Sequence, residues 1–245
     1  MAGAAEHVQK ISLELGGNAP FIVFPSADLE KAADGAIASK FRNAGQTCIC
    51  ANRIFVHDEV MEAFSALFLK KLQALKVGAG WEKDVAIGPL INDKAVEKIE
   101  EMVASAVKAG ARVLTGGKRH ALGGTFYEPT LIVDAPEDQP LAKDEIFGPV
   151  AALYAFKTEE DVVARANDTP YGLAGYLYSN DMGQVWRVSD ALEYGMVGVN
   201  EPLLSNDLSP FGGVKESGIG KEGGKYGLVE YTSLKYRLFG GFEVA

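Results

Sequence analysis

The chain has 245 residues, 47% hydrophobic and 23% charged, enough to bury a sizeable core as one large domain or two small ones. A net charge of -9 without any basic run argues against a nucleic-acid partner, and no apolar stretch reaches the length of a membrane span. The first ten residues lack a signal-peptide pattern and two cysteines one residue apart make no secreted disulfide framework, so the expectation is a cytoplasmic protein with reduced thiols.

Ile11, Leu13 and Leu15 alternate with polar residues, which predicts a half-buried strand with Glu14 turned away from the packed face. Phe21-Ile22-Val23-Phe24 reads as a short, fully apolar strand. Ser26 or Asp28 can cap the next helix, whose stripe is Leu29, Ala32, Ala33, Ala36, Ile37 and Phe41, and Gly45 ends it. Ile54-Phe55-Val56 is a strand, followed by a helix through Val60, Phe64, Leu67, Phe68 and Leu75. A long helix over 92–109 precedes a strand at Arg112-Val113-Leu114, and further strands are predicted over 126–133 and 150–156. Thr158 and Asp161 open a helix in the manner of a capping box with Asp in place of Glu. A strand over 173–178, a helix over 181–192 and a strand over 195–199 complete the alternation. This order implies an α/β fold with an open, largely parallel sheet flanked by helices. The glycine-dense stretch 200–227 reads as a long ordered loop, and 229–236 as a terminal strand that must pair with something, such as another subunit.

Gly45-Gln46-Thr47-Cys48-Ile49-Cys50 carries the most chemistry. Cys48 is either a nucleophile or a small buried side chain; the residues before it favour a turn, whose N–H groups would depress the thiol pKa and hold an oxyanion. Cys50 either packs or forms a strained short-range disulfide with Cys48. No second cysteine pair and no spaced histidines accompany them, which argues against a zinc site. Glu14, beside Gly16 and Gly17, is a carboxylate placed to give acid–base help. A Cys–His hydrolase using His57 is a weaker alternative. Gly218-Ile219-Gly220-Lys221-Glu222-Gly223 matches G-x-G-x-x-G but lacks the preceding strand and surrounding βαβ unit, so it reads as loop. Glu145 by default is a solvated strand end. Arg42 by default is a surface charge, although it could reach an anionic ligand at the thiol.

Together these segments resemble the aldehyde dehydrogenase superfamily. Glu14-Leu15-Gly16-Gly17-Asn18 is similar to its glutamate motif and Gly45-Gln46-Thr47-Cys48 to its cysteine motif. Glu145-Ile146-Phe147-Gly148-Pro149 resembles its cofactor-contacting segment, and Pro210-Phe211-Gly212-Gly213 its late loop. Phe41-Arg42-Asn43, the Cys-x-Cys pair and Ser205 look most like the members that oxidise succinate semialdehyde, with glutarate-semialdehyde enzymes sharing much of this. Asn200-Glu201-Pro202 departs from the Asn-Thr-Gly start expected of that loop.

The resemblance implies roles. Cys48 would attack the aldehyde, hydride would pass to NADP or NAD to leave a thioester, and Glu14 would activate the water that releases the acid. Glu145 would bind the nicotinamide-side ribose beside Phe147. Arg42 and Ser205 would hold the distal carboxylate of a small aldehyde acid, and in some members Cys50 forms a reversible disulfide with the catalytic thiol. In the family a dinucleotide-binding half precedes the glutamate motif. The resemblance therefore covers a catalytic domain over 1–227 and an oligomerisation tail over 228–245, without that half or its oxyanion asparagine. It implies a homo-oligomer and a chain that is inactive alone. A cofactor-free thiol hydrolase and a non-catalytic assembly module are the rival readings.

Overall fold

A computed structural model describes residues 1–241. After a short helix α1 (Ala2–Ala5), β1 (Leu13–Glu14) stands apart from the main sheet. The main alternation follows: β2 (Ala19–Val23), α2 (Leu29–Phe41), β3 (Ala51–His57), α3 (Met61–Gln73), α4 (Asp93–Lys108), β4 (Arg112–Thr115) and β5 (Thr130–Val133). Then come α5 (Pro140–Lys143), β6 (Val150–Phe156), α6 (Glu159–Asn167), β7 (Ala174–Tyr178), α7 (Met182–Ala191) and β8 (Met196–Val199). A two-residue β9 (Gly218–Ile219) and α8 (Gly224–Val229) close the described chain.

Seven strands form one sheet in the order β4-β5-β6-β3-β2-β7-β8. All neighbours run parallel except the edge pair β4 and β5. The central strands are buried on both faces, as a parallel sheet covered by helices requires: every residue of β2 and β7 is buried. Local chemistry sets the helix starts. Asp28 caps α2 by accepting the Lys31 N–H at 3.2 Å, and Thr158 caps α6 through the Asp161 N–H at 3.2 Å. The α2 stripe buries Ala32, Ala33, Ala36 and Phe41, and Phe41 meets Phe68 of α3 with ring centroids 6.2 Å apart.

Three expectations are corrected. The first strand shrinks to Leu13 and Glu14, whose antiparallel partners are Ile219 and Gly218. That distant pairing, not the local alternation, sets its orientation: Leu15 is 49% exposed, while both carboxyl oxygens of Glu14 are shielded from solvent. The strand expected over 126–133 begins only at Thr130, with Tyr127 making an isolated bridge to Arg119. The C-terminal strand expected over 229–236 is absent: α8 runs through Val229, turn hydrogen bonds reach Thr232, and the residues beyond have no regular structure. A strand needs a ladder partner, and among the described residues no strand pairs with that segment.

The segments that lead into β2, β3 and β6 carry Glu14 (at the end of β1), Cys48 and Glu145 respectively, so these residues gather at the amino-terminal margin of the main sheet. In open α/β sheets ligands more usually sit outside the carboxyl ends of the strands. The carboxyl margin here is occupied by a hydroxyl and amide network instead, in which Ser26 Oγ and Ser179 Oγ are 2.9 Å apart and Asn200 accepts the Ser179 N–H at 3.0 Å.

Candidate active site

Cys48 sits on a turn that the chain can reach only through strained backbone. After α2, Asn43, Ala44 and Gly45 take left-handed φ values of 52°, 55° and 74° in succession. Gly45 is required twice over, because a Cβ there would also lie 2.1 Å from the Gly148 carbonyl oxygen. Such strain concentrates where surrounding structure holds a functional loop in place. Gln46 braces this turn by accepting the Ile91 N–H at 2.9 Å, and the Cys50 N–H closes it on the Thr47 carbonyl at 3.0 Å.

Glu14, Leu15, Gly16, Cys48, Glu145, Phe147, Phe211 and Glu222 line one cavity of about 330 Å³. Four of the expected site residues (Glu14, Cys48, Glu145 and Phe147) therefore converge from points up to 133 positions apart in the chain. Gly17 packs so tightly under the cysteine turn that a Cβ on it would lie 2.4 Å from the Cys48 carbonyl oxygen. Ser217, fully buried, donates to the Gly16 carbonyl at 2.7 Å and accepts the Gly172 N–H at 2.8 Å, which pins the glutamate segment from the late loop.

The electrostatics corrects one expectation. The N–H of Cys48 itself does favour its thiolate, but burial, then Glu145, outweigh it, and Glu14 adds to them; the thiol is pushed up, not down. Glu14 is also raised, by burial first and by Glu222 second, against a lowering by Lys221. Its carboxyl oxygens have no hydrogen-bond partner among the described residues. Burial likewise raises Glu145, opposed by the Gly17 N–H and by Lys98 and Lys40. A carboxyl held above its ordinary range in a cleft that also holds a thiol is a candidate for proton transfer.

Arg42 and Ser205 are both exposed and neither lines this cavity. The Arg42 guanidinium makes no ion pair among the described residues, while its carbonyl accepts from the Cys50 thiol at 3.9 Å. Cys50 is buried, and both cysteines are free thiols. His57 lies at the far end of β3, with Nε2 2.9 Å from the Lys157 carbonyl oxygen. Six strand steps put it roughly 20 Å from the cysteine turn, which removes the Cys–His arrangement. Gly218 and Ile219 form β9 and run straight into loop, so the G-x-G-x-x-G segment opens no βαβ unit.

The sequence reading missed the groups that hold the site together. Asn18, 1% exposed, donates to the Ala142 and Lys143 carbonyls at 2.9 and 3.1 Å and accepts from Asn52 at 2.8 Å and Arg53 at 3.1 Å. Asn52 in turn accepts the Ile146 N–H at 3.0 Å and donates to the Asp144 carbonyl at 2.9 Å. The peptide on either side of Glu145 is thus clamped by side chains from the starts of β2 and β3. Glu222 and Lys221, which flank Glu14, were also missed. The only sequence signal was a polar pair inside a glycine-rich loop.

A larger cavity of about 590 Å³ lies against α3, β4 to β6 and α6. Its charges are already spent on one another, Arg112 with Asp134 at 2.7 Å and Arg165 with Glu137, and it holds no thiol. Among the described residues no group of three or more His, Cys, Asp and Glu side chains is placed to hold a metal ion, and no helix is long and apolar enough to cross a membrane.

A thiol, a raised carboxyl and a glycine-held turn meet at one cavity on an α/β scaffold, and comparison with known proteins gives the family. The sequence profile of the aldehyde dehydrogenase family matches residues 1–236, and the chain belongs to that family. It is 53% identical over 240 residues to the succinate-semialdehyde dehydrogenase [NADP(+)] of Escherichia coli K12, covering 98% of this chain and 50% of that protein. It is 54% identical over 241 residues to a glutarate-semialdehyde dehydrogenase of Pseudomonas aeruginosa, with the same coverage of 98% and 50%. The crystal structure of a succinate-semialdehyde dehydrogenase from Burkholderia pseudomallei superposes with a TM-score of 0.93 at 56% identity, over 94% of this chain and 48% of that one. The chain spans about half the length of the curated relatives it matches.

Proposed function

We propose that this chain is the catalytic portion of an NAD(P)-dependent aldehyde dehydrogenase that oxidises a short aldehyde acid, succinate semialdehyde foremost, to the carboxylic acid. The convergence of Cys48, Glu14 and Glu145 on one small cavity carries this reading. The relatives named for succinate and glutarate semialdehydes support the substrate class, and the one named for NADP(+) supports the cofactor.

Cys48 adds through sulfur to the aldehyde carbon, giving a thiohemiacetal whose oxyanion faces the Cys48 N–H. The nicotinamide cofactor supplies the hydride acceptor when bound. The residues present fit such a group: Glu145 has a carboxyl oxygen beside Gly16, where there is no side chain, and Phe147 offers a ring that is 37% exposed. Glu145 would hold the ribose hydroxyls and Phe147 would pack against the ring. Glu14 then takes a proton from water as it attacks the Cys48 thioester, and the acid leaves. Arg42, free of ion pairs among the described residues, and Ser205 would hold the substrate's distal carboxylate outside the cavity that Glu14 and Cys48 line. Both cysteines as free thiols support a cytoplasmic site of action. The exposed Tyr231, Leu234 and Tyr236 support a tail over 228–245 that closes a homo-oligomer. The catalytic domain is then 1–227, and with half the cofactor site outside these residues the isolated chain turns over negligibly.

The test uses the full-length protein that contains this chain. Succinate semialdehyde with NADP or NAD should yield reduced nicotinamide, and acid quenching should trap an acyl group on the Cys48 peptide. Acylation at another residue, or turnover that persists in Cys48→Ala, overturns the assignment.

A further inference from the structure

Glu145 and Phe147 stand on a segment that no ladder supports from the β3 side. The pairing of β3 with β6 begins only at Arg53 and Ala152, so residues 144–149 approach the sheet without that neighbour's backbone. Backbone groups in a buried place still need partners, and here one side chain supplies them. Asn52, buried at the start of β3, donates from Nδ2 to the Asp144 carbonyl at 2.9 Å and accepts the Ile146 N–H on Oδ1 at 3.0 Å. Its amide brackets Glu145 much as a paired strand would, bonding the residue before it and the residue after it. Nδ2 also donates to Asn18 Oδ1 at 2.8 Å, which ties the bracket to the glutamate motif. The Glu145 carbonyl is held separately, by Lys98 Nζ of α4 at 2.6 Å.

The bracket ends where the backbone kinks. Phe147 has a φ of 56°, a left-handed value that a bulky residue keeps only where its surroundings fix it. Both neighbours are fixed. Ile146 is fully buried with its N–H on Asn52, and Gly148 packs against Ile99 of α4 with no room for a side chain. Cys48 lies four residues before Asn52 on the same entry to β3, so one short stretch carries both the thiol and the bracket.

We propose that Asn52 is a positioning residue: by bracketing Glu145 it holds that carboxylate and the kinked Phe147 in fixed register with the Cys48 turn, and so shapes the seat for the nicotinamide end of NADP or NAD. Asn52 acts only through the segment it holds. Without its amide the Asp144 carbonyl and the Ile146 N–H lose their partners, the segment relaxes toward water, and Phe147 is free to leave its left-handed φ. The consequence for the cofactor rests on the aldehyde dehydrogenase reading above; the bracket itself does not.

The test uses the full-length protein that contains this chain, with Asn52→Leu and, as a second variant that admits water, Asn52→Ala. Hydrogen–deuterium exchange read by mass spectrometry should be slow over 144–149 in wild type and faster by roughly tenfold or more in both variants, while β2 keeps its protection. NADPH affinity, read by fluorescence titration, should fall roughly tenfold or more, and single-turnover hydride transfer by up to about 10²-fold, the order of loss for a displacement of about 1 Å. Ser39→Ala removes a different buried bond to β3, the one Ser39 accepts from the Ala51 N–H at 3.1 Å, and should change neither exchange over 144–149 nor NADPH affinity. Rapid exchange over 144–149 in wild type overturns the proposal without need of either Asn52 variant. So does unchanged NADPH affinity in Asn52→Leu, or an equal loss in Ser39→Ala, which would mark general loosening. A wild-type protein that binds neither NADPH nor NADH sinks the aldehyde reading and the cofactor role with it, whereas exchange that quickens only in the Asn52 variants leaves the bracket standing.

Discussion

Glu145 accepts the backbone N–H of Gly17 at 3.0 Å, joining the segment before β6 to the glutamate motif across 128 positions of sequence. The same carboxylate is the largest charge acting to raise Cys48. Its removal therefore has two opposite effects. In Glu145→Gln the amide oxygen can still accept from Gly17, so the turn survives, and Cys48 should ionise at lower pH. Alkylation of Cys48 at pH 7 should quicken while the KM for NAD(P) of the full-length enzyme rises. Unchanged alkylation together with unchanged KM would count against both roles.

Glu14→Gln separates the two halves of the reaction. The first turnover should persist as a burst of reduced cofactor, and steady-state turnover should fall by roughly 10²- to 10⁴-fold, the usual loss of a general base. Wild-type release of acid should fall as pH drops, because the base works only when deprotonated. Its inflection should lie above the ordinary carboxylate range, since burial and Glu222 both raise Glu14. A burst lost in proportion to turnover would place Glu14 elsewhere in the sequence of steps.

The thiols should label unequally. Cys48 is part-exposed in an open cavity, whereas Cys50 is 7% exposed beneath it. Iodoacetamide should therefore modify Cys48 first. Because the Cys48 pKa is raised, its rate should keep climbing above the pH at which an ordinary thiol has levelled off. Mass spectrometry of a pH series reads both effects, and equal labelling would refute the first.

Gly45→Ala should disable the turn. A methyl there meets the Gly148 carbonyl oxygen at 2.1 Å, and the residue would have to hold a φ of 74°. Left-handed strain alone is on the order of 1 kcal/mol, and displacing Gly148 adds to it, so a loss of more than about 2 kcal/mol is expected in urea melts. A melt within 0.5 kcal/mol of wild type, an order-of-magnitude threshold for neutral surface changes, would show that the turn relaxes freely.

Lys40 burdens the fold in a pH-dependent way. Its pKa is about 8 when folded and about 10.4 when unfolded, so between those values the unfolded chain binds more protons. Its penalty is full below about pH 8, relaxes as pH rises and is gone near 10.4. Lys40→Met should therefore stabilise the chain by roughly 3 kcal/mol near neutrality, with the difference shrinking across that window. A difference that does not vary with pH would refute the buried charge.

What could be read from the sequence was what local periodicity controls. Phe21-Ile22-Val23, the α2 stripe and the Asp28 and Thr158 caps all depend on near neighbours, and all are in place. Glu14 was located but its surroundings were misjudged, because its orientation depends on Gly218 and Ile219, some 200 positions away. Lys40 lies outside the apolar stripe of α2 in the sequence, yet it is fully buried. Asn18, Asn52 and Arg53 are ordinary polar residues in sequence and become a clamp only when three strand starts meet. The tail over 229–236 has strand chemistry without a strand, since pairing is a property of two segments and one chain holds only the first.

The arrangement of the reactive groups along the amino margin of the sheet leaves the opposite margin under different constraints. The connections that follow β3 and β6 touch none of them, and they carry exposed side chains such as Glu59 and Lys157. A few extra residues spliced in beside Lys157 should leave the nucleophile's surroundings untouched. The same addition beside Gln46 would pull the thiol off its mark. Tolerance to lengthening should thus divide the loops of this chain by the end of the strand they join, not by their size.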